Sequence, residues 1–179
     1  MSLSVIYRPN ANGTYQQIQT QYPTSGSHYD KVDEVSADNR STYIKAMGLS
    51  KLVDTFHFTD PTPLGAIESV TVHIYDTASG DGNQSYHSTV LYHPSHALEY
   101  GTEHYNSAQE GWTDYSTTYT TNPWTGVAWT WNDLVSLEFG VAIRCGNSVH
   151  EGICTQTWLE VKYNLVSSGG PQIIGLPAW

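Results

Sequence analysis

Apolar and polar residues alternate strictly along several short stretches of this chain, and this alternation most constrains its fold. In residues 137–145 the odd positions are mostly apolar, whereas the even positions include Glu138, Gly140 and Arg144. Residues 67–75 and 155–165 repeat the pattern, with weaker examples at 3–7, 15–22, 42–47, 51–58, 88–92 and 114–121. A two-residue period places alternate side chains on opposite faces of a β-strand. Because helical periodicity is almost absent, the pattern predicts a β-sheet protein.

Turn-forming residues separate these stretches, as at 60–65 (DPTPLG), 79–83 (SGDGN) and 145–147 (CGN). About eight or nine short strands, each with one apolar and one polar face, predict an all-β fold, an antiparallel β-sandwich. A jelly-roll-like topology is preferred, although an immunoglobulin-like strand order would produce the same alternation. The 179 residues are enough for one such domain.

The two ends of the chain differ from its middle. Residues 1–28 are polar and are expected to form an N-terminal arm and the first strands, before a sandwich domain at 29–166. Residues 167–179 begin with a Gly/Ser hinge and end in an apolar tail, which either folds back on its own domain or docks on a neighbouring subunit. The candidate subunit contacts in this tail are Ile173, Ile174, Leu176 and Trp179.

The charge balance argues against nucleic-acid and membrane-surface partners. Seventeen Asp and Glu residues against seven Lys and Arg give a net charge of −10, and the cations are scattered. Nucleic acids and anionic membranes both require clustered positive charge. No stretch reaches the roughly 18 apolar residues of a membrane span, and the N-terminus does not resemble a signal peptide. Either a leader was removed, or the chain is made in a cytoplasm and leaves it by assembly.

Catalytic motifs are missing, which predicts a protein that is not an enzyme and needs no cofactor. The sequence contains no G-x-S-x-G elbow, no H-E-x-x-H motif and no glycine-rich phosphate loop. His87, His93 and His96 could hold Zn²⁺ together, but 93–96 has the composition of a turn. Surface histidines without a metal are the preferred interpretation.

A cluster of carboxylates offers the other candidate metal site. Asp30, Asp33 and Asp38, with Glu34 between them, could supply hard oxygen ligands to Ca²⁺. The EF-hand spacing is absent, so a solvated acidic face is the preferred interpretation, and we expect no bound metal.

Cys145 and Cys154 flank the loop between the last two strong strands. Cys145 shares parity with the inward residues of its strand, whereas Cys154 has the opposite parity to those of the next. A disulfide would therefore require a bulge near Thr155. Both a disulfide and a pair of free, buried thiols remain open from the sequence.

Aromatic residues are densest in 111–131, and planar aromatic rings stack on sugars. The candidate glycan platform consists of Trp112, Tyr119, Trp124 and Trp129. The alternative is that these side chains fill the core of the sandwich. We expect core positions for one or two tryptophans and partner contacts for others.

Several short runs share a recognisable pattern: 8–10 (RPN), 21–34 (QYPTSGSHYDKVDE), 67–72 (IESVTV), 121–123 (TNP), 129–131 (WTW), 139–141 (FGV) and 155–161 (TQTWLEV). Over about residues 7–163 the chain resembles uncharacterised jelly-roll-like structural proteins of tailed phages and environmental viruses. Its general plan is also similar to the β-sandwiches of carbohydrate-binding modules. The first resemblance implies a head-decoration or tail-associated role at the virion surface, and it brings no catalytic residues.

Three functions follow as hypotheses. The first is a non-catalytic structural protein of a virus-like particle, whose partners are further copies of itself and other particle proteins. The second is a carbohydrate-binding module that uses the aromatic platform. The third is a subunit of a secreted, extracellular filament joined by strand donation.

Overall fold

The computed structural model describes residues 1–79, 84–107 and 111–165, which form two antiparallel sheets packed face to face. The first sheet contains β1 (Ser2–Tyr7), β3 (Thr20–Tyr22), β4 (Tyr43–Met47), β6 (Ala66–Ser79), β10 (Thr113–Tyr119) and β12 (Glu151–Asn164). The second contains β2 (Ala11–Gln16), β5 (Leu52–His57), β7 (Gln84–Tyr92), β8 (Glu99–Tyr100), β9 (His104–Ser107) and β11 (Glu138–Cys145). The expected all-β, jelly-roll-like antiparallel sandwich is confirmed.

Long strands organise both sheets. The first has the order β10-β6-β12-β4-β3, and β1 pairs with β12 beyond the end of β4. The second has the order β2-β5-β11-β7-β8, and β9 pairs with β7 beyond β8. Two 3₁₀ turns, at Tyr29–Lys31 and Trp131–Leu134, are the helical elements among the described residues.

The alternation in the sequence decides which side chains enter the core. On β11, Phe139, Val141 and Ile143 are fully buried between the sheets. They face residues of β6 such as Val72 and Ile74, which are also fully buried. Each such side chain stabilises the fold by about 1.5–3 kcal/mol, so the facing alternations hold the two sheets together.

Residues 1–28, expected to form an N-terminal arm and the first strands, are built into the sandwich. Strand β1 pairs with β12 and β3 with β4 in the first sheet, whereas β2 pairs with β5 in the second. The segment therefore crosses from one sheet to the other, and its strands complete the sandwich edges.

The two cysteines are free and buried, which is the second of the two alternatives that the sequence left open. A register shift after Cys154 turns its side chain inward, as a disulfide would have required. However, Cys145 lies on β11 of the second sheet and Cys154 on β12 of the first. Their Sγ atoms approach different backbone carbonyls, those of Ala46 and Gln156. The cysteines are therefore not cross-strand neighbours.

The predicted hinge and tail lie outside the described residues. The contacts expected at Ile173, Ile174, Leu176 and Trp179 stay a prediction. Among the residues that are described, no helix has the length and apolar character needed to span a bilayer.

Candidate binding sites

An open pocket lies where two loops meet at one end of the sandwich. One loop, residues 93–98, joins β7 to β8, and the other, residues 120–130, follows β10. The pocket has a volume of about 130 Å³. Its lining residues are His93, His96, Asn122, Trp124, Thr125, Asn132 and Asp133. We call it the Trp124 pocket.

The indole of Trp124 is held in a fixed position. Its Nε1 donates a hydrogen bond to the Ala97 carbonyl at 3.0 Å, and its backbone N–H donates to Asn122 Oδ1 at 3.1 Å. The ring of His96 stacks on it at 5.0 Å, with 7° between the planes. Because these contacts come from both loops, the indole is oriented before any ligand arrives.

Polar groups surround this indole. Asp133 Oδ2 accepts hydrogen bonds from the backbone N–H and the hydroxyl of Thr130, at 2.7 and 2.8 Å, and so caps the 3₁₀ turn. His93 Nδ1 accepts from the backbone N–H of Ser95 at 3.2 Å, which in the neutral ring leaves Nε2 as the donor. Asn132 is exposed at the rim. The pocket therefore combines the stacked rings of Trp124 and His96 with amide, imidazole and carboxylate groups that can pair with hydroxyls.

Five tyrosines cross the outer face of the second sheet, the face turned away from the core. Pairing places Tyr92 opposite Glu138 and Tyr86 opposite Arg144, which are even positions of β11 and so face outward. The members of this group, called the tyrosine strip, are Tyr15, Tyr86, Tyr92, Tyr100 and Tyr105.

The rings of the strip brace one another. Tyr15 meets Tyr92 edge-on at 5.1 Å, and Tyr86 meets Tyr105 edge-on at 5.5 Å. Small apolar side chains, Val53, Val90 and Ala142, lie buried beneath Tyr15. Tyr100 and Tyr105 are the most exposed members, at 39% and 43%.

Three charged side chains, Lys51, Glu103 and Arg144, form an ion cluster beside the tyrosine rings of the strip. Glu103 accepts hydrogen bonds from Arg144 Nε at 3.0 and 3.1 Å and lies 3.0 Å from Lys51 Nζ. Lys51 sits over the ring of Tyr100 at 5.1 Å, and Arg144 over Tyr86 at 3.8 Å. The hydrogen bond from Arg144 is the largest cause that lowers the pKa of Glu103 to about 2. The charges of the strip thus pair with one another rather than face solvent unopposed.

A buried Ser-His-Asp arrangement lies inside the sandwich. His87 Nε2 is 2.7 Å from Ser85 Oγ, and His87 Nδ1 is 2.8 Å from Asp76 Oδ2. Asn106 donates a hydrogen bond to Asp76 Oδ1 at 2.7 Å. The residues Asp76, Ser85, His87 and Asn106 all have 0% exposure.

This arrangement cannot act as a catalytic triad. A triad needs an aligned Asp–His hydrogen bond and a serine that a substrate can reach. Here Nδ1 of His87 and Oδ2 of Asp76 are close but make no hydrogen bond of acceptable geometry. A methyl group added at Gly152 would lie 3.0 Å from both His87 Nε2 and Ser85 Cβ, so the space is filled. The cluster is part of the polar interior.

The structure separates the four residues of the predicted glycan platform, which corrects that prediction. Trp129 is 4% exposed and lies in the core, where its Nε1 donates to the Tyr119 carbonyl at 3.0 Å. Tyr119 packs on the same cluster, and burial raises the pKa of its hydroxyl. Trp112 stacks on Tyr75 at 5.7 Å, away from the pocket. Trp124 alone of the four lines the pocket.

The predicted carboxylate cluster has local partners. Asp30 accepts a hydrogen bond from the backbone N–H of Ser27, and Asp38 accepts from the hydroxyls of Thr42 and Thr155. Burial raises the pKa of Asp33. Within 1–79, 84–107 and 111–165, no three His, Cys, Asp or Glu side chains are arranged to hold a metal ion.

The candidate histidines also separate. His87 is buried in the interior cluster, whereas His93 and His96 line the pocket with rings 5.5 Å apart.

Sequence reasoning missed the tyrosine strip. The shared parity of Tyr86 and Tyr92 on one strand was its available signal.

No protein-family model matches the sequence, and no curated protein is significantly similar to it. Among solved structures, the chain is similar to the xylan-binding CBM22 domain of a Paenibacillus barcinonensis protein, with 6% identity, a TM-score of 0.44 and coverage of 73% of this chain and 78% of that one. It is also similar to a CBM35 module from Cellvibrio japonicus, with 9% identity, a TM-score of 0.44 and coverage of 92% and 100%. A third is the xylan-binding module CBM15, with 15% identity, a TM-score of 0.40 and coverage of 93% and 99%. Similarity at this level does not identify a function.

Proposed function

We propose that this protein is a non-catalytic carbohydrate-binding domain that holds a sugar ring in the Trp124 pocket. The observation that carries the proposal is the indole of Trp124, fixed by Ala97 and Asn122 inside a concave site rich in hydrogen-bonding groups. A sugar ring presents C–H groups on its faces and hydroxyls around its edge. The pocket offers an aromatic surface for the first and polar side chains for the second.

The size of the pocket favours a single ring. Its volume of about 130 Å³ is well below the roughly 300–1,000 Å³ of sites that enclose drug-sized ligands. The site is also open, so the rest of a longer glycan can extend into solvent or along the protein surface.

The same geometry argues against glycoside hydrolysis. That reaction generally uses two carboxyl groups about 5–9.5 Å apart on either side of the scissile bond. The described lining of the pocket contains one carboxylate, Asp133, and its Oδ2 is already occupied by Thr130. Binding without turnover is therefore the chemistry that the site favours.

The test is isothermal titration calorimetry against xylan, galactan and mixed-linkage glucan oligosaccharides, with two pocket variants. Trp124→Ala should weaken binding at least tenfold, because it removes the stacking surface and loosens the pocket. Asn132→Ala should weaken it about two- to tenfold, the equivalent of one lost hydrogen bond. Asn132 makes no side-chain hydrogen bond that supports the described fold, so weaker binding by Asn132→Ala would measure the loss of a contact with the ligand.

Trp112→Ala is the matched control, because Trp112 is a partly buried tryptophan outside the pocket. It should bind as the wild type does. If Trp124→Ala binds equally well while Trp112→Ala does not, the pocket is not the site. If the folded wild type binds no glycan of a broad array, the proposed function is refuted.

We place this activity outside a cell or at a particle surface, as the composition suggests. The structural role in a virus-like particle rests on the resemblance alone, because the apolar tail expected to clasp neighbours lies outside the described residues. Light scattering of the full chain and of a chain ending at residue 165 would test that role.

A further inference from the structure

We propose that the tyrosine strip is a second binding surface, which holds an extended chain of uncharged sugars that continues out of the Trp124 pocket. This inference rests on the proposed function and deepens it, because it specifies the ligand as a neutral polysaccharide rather than a single sugar.

Continuity between pocket and strip is the first step. Tyr92, at the end of β7, directly precedes His93 of the pocket. Tyr100, on β8, follows the loop whose Ala97 carbonyl accepts the Trp124 indole N–H. The loop that forms one wall of the pocket is therefore anchored at both ends in the strip.

The shape of the strip favours an extended ligand. Along β7, Tyr92 lies six positions after Tyr86, which corresponds to about 20 Å. Tyr105 widens the strip, because it lies on the neighbouring strand β9 and pairs with Tyr86. A row of rings of this length on a sheet surface suits several linked sugar rings more than one compact molecule.

The charges of the strip favour an uncharged ligand. Glu103 contacts both Lys51 and Arg144, so it cancels one of their two positive charges and engages both side chains. The protein as a whole carries a net charge of −10, which repels polyanions at long range. An uncharged sugar chain needs no unpaired cation for binding, and the negative charge of the protein does not repel it.

The apolar content of the strip favours a glycan over a protein partner. Protein interfaces bury an apolar centre, but Val53, Val90 and Ala142 are already covered by Tyr15. Among the described residues, the exposed aliphatic side chains, such as Leu49 and Val149, lie in loops or on the first sheet. The exposed groups of the strip are phenol rings and paired charges, which suit the mixed C–H and hydroxyl surface of a sugar chain.

The experiment is affinity electrophoresis in native gels that contain xylan, galactan, mixed-linkage glucan or polygalacturonate. The wild type should be retarded by at least one uncharged polymer and not by polygalacturonate. Tyr100→Ala and Tyr105→Ala should each weaken binding of that polymer about three- to tenfold. Tyr22→Ala is the matched control, because Tyr22 is a 50% exposed tyrosine on the first sheet, and it should behave as wild type.

Calorimetry with oligosaccharides of two and six rings separates the two sites. The strip predicts that the wild type binds six rings more tightly than two, and that the double variant Tyr100→Ala/Tyr105→Ala loses this gain while it still binds two rings. Unchanged polymer binding by the double variant, with binding lost in Trp124→Ala, would overturn the strip and leave the pocket standing. Retardation by polygalacturonate alone would overturn the choice of an uncharged ligand. If none of the polymers retards the wild type, both sites are overturned.

Discussion

Asp54 fastens the N-terminal segment to the second sheet, so its replacement should destabilise the whole sandwich. The side chain has 0% exposure, and its Oδ1 accepts the backbone N–H groups of Gln17 and Ile18 at 2.8 and 2.9 Å. Its Oδ2 lies 2.5 Å from Nδ1 of His28. In Asp54→Ala, two backbone donors lose their buried acceptor.

The expected cost follows from these contacts. Hydrogen bonds to a charged group contribute about 1.5–3 kcal/mol each and do not add fully. Breaking a buried ion pair by removing one partner costs about 3–5 kcal/mol. We expect Asp54→Ala to lower the free energy of unfolding by about 3–5 kcal/mol, which for a chain of this size lowers Tm by about 6–20 °C.

Urea unfolding followed by tryptophan fluorescence measures this change, with the midpoint and the m-value fitted together. Asp60→Ala is the control, because Asp60 is exposed in a loop, and it should remain within about 0.5 kcal/mol of wild type. If Asp54→Ala loses less than about 1 kcal/mol, then Asp54 does not anchor the segment and the reasoning is wrong.

Two further predictions concern ionisable groups. Cys145 and Cys154 should not react with Ellman's reagent in the native protein, because both are fully buried and burial raises both pKa values. In urea without reductant both thiols should react, and the absence of free thiol there would indicate a disulfide instead. Glu103→Gln should destabilise the protein at pH 7, because the lowered pKa of Glu103 gives stability above its ordinary pKa of 4.5 that is lost as the pH falls through about 2. The difference from wild type should therefore shrink between pH 4.5 and 2, and a constant difference over that range would contradict the ion cluster.

The alternation in the sequence predicts the core because strand geometry leaves no other choice. Once residues 137–145 form a strand, Phe139, Val141 and Ile143 must share a face, and that face is buried. The bulge beside Cys154 was foreseeable from parity. Which sheet each cysteine joins was not foreseeable, because strand order depends on pairings between residues that are distant in the chain.

The binding site was predictable only in part. The density of aromatic residues indicated Trp124. The pocket also contains His93 and His96 from a loop of the other sheet, and no local sequence pattern predicts that the two loops meet. Trp129 belongs to the same aromatic-rich segment, but residues 123–130 form turns and loops that direct its ring into the core. The tyrosine strip is assembled from separate strands, so beyond the shared parity of Tyr86 and Tyr92 only the pairing register reveals it.

Titration of a ¹⁵N-labelled sample with a neutral oligosaccharide tests the central claim most directly. The six tryptophans each give one indole N–H signal, and Trp124→Ala identifies the one that lines the pocket. We expect the Trp124 signal to shift saturably while that of the buried Trp129 stays in place. If no indole signal shifts while the oligosaccharide binds, or if that of Trp112 shifts instead, the sugar does not occupy this pocket.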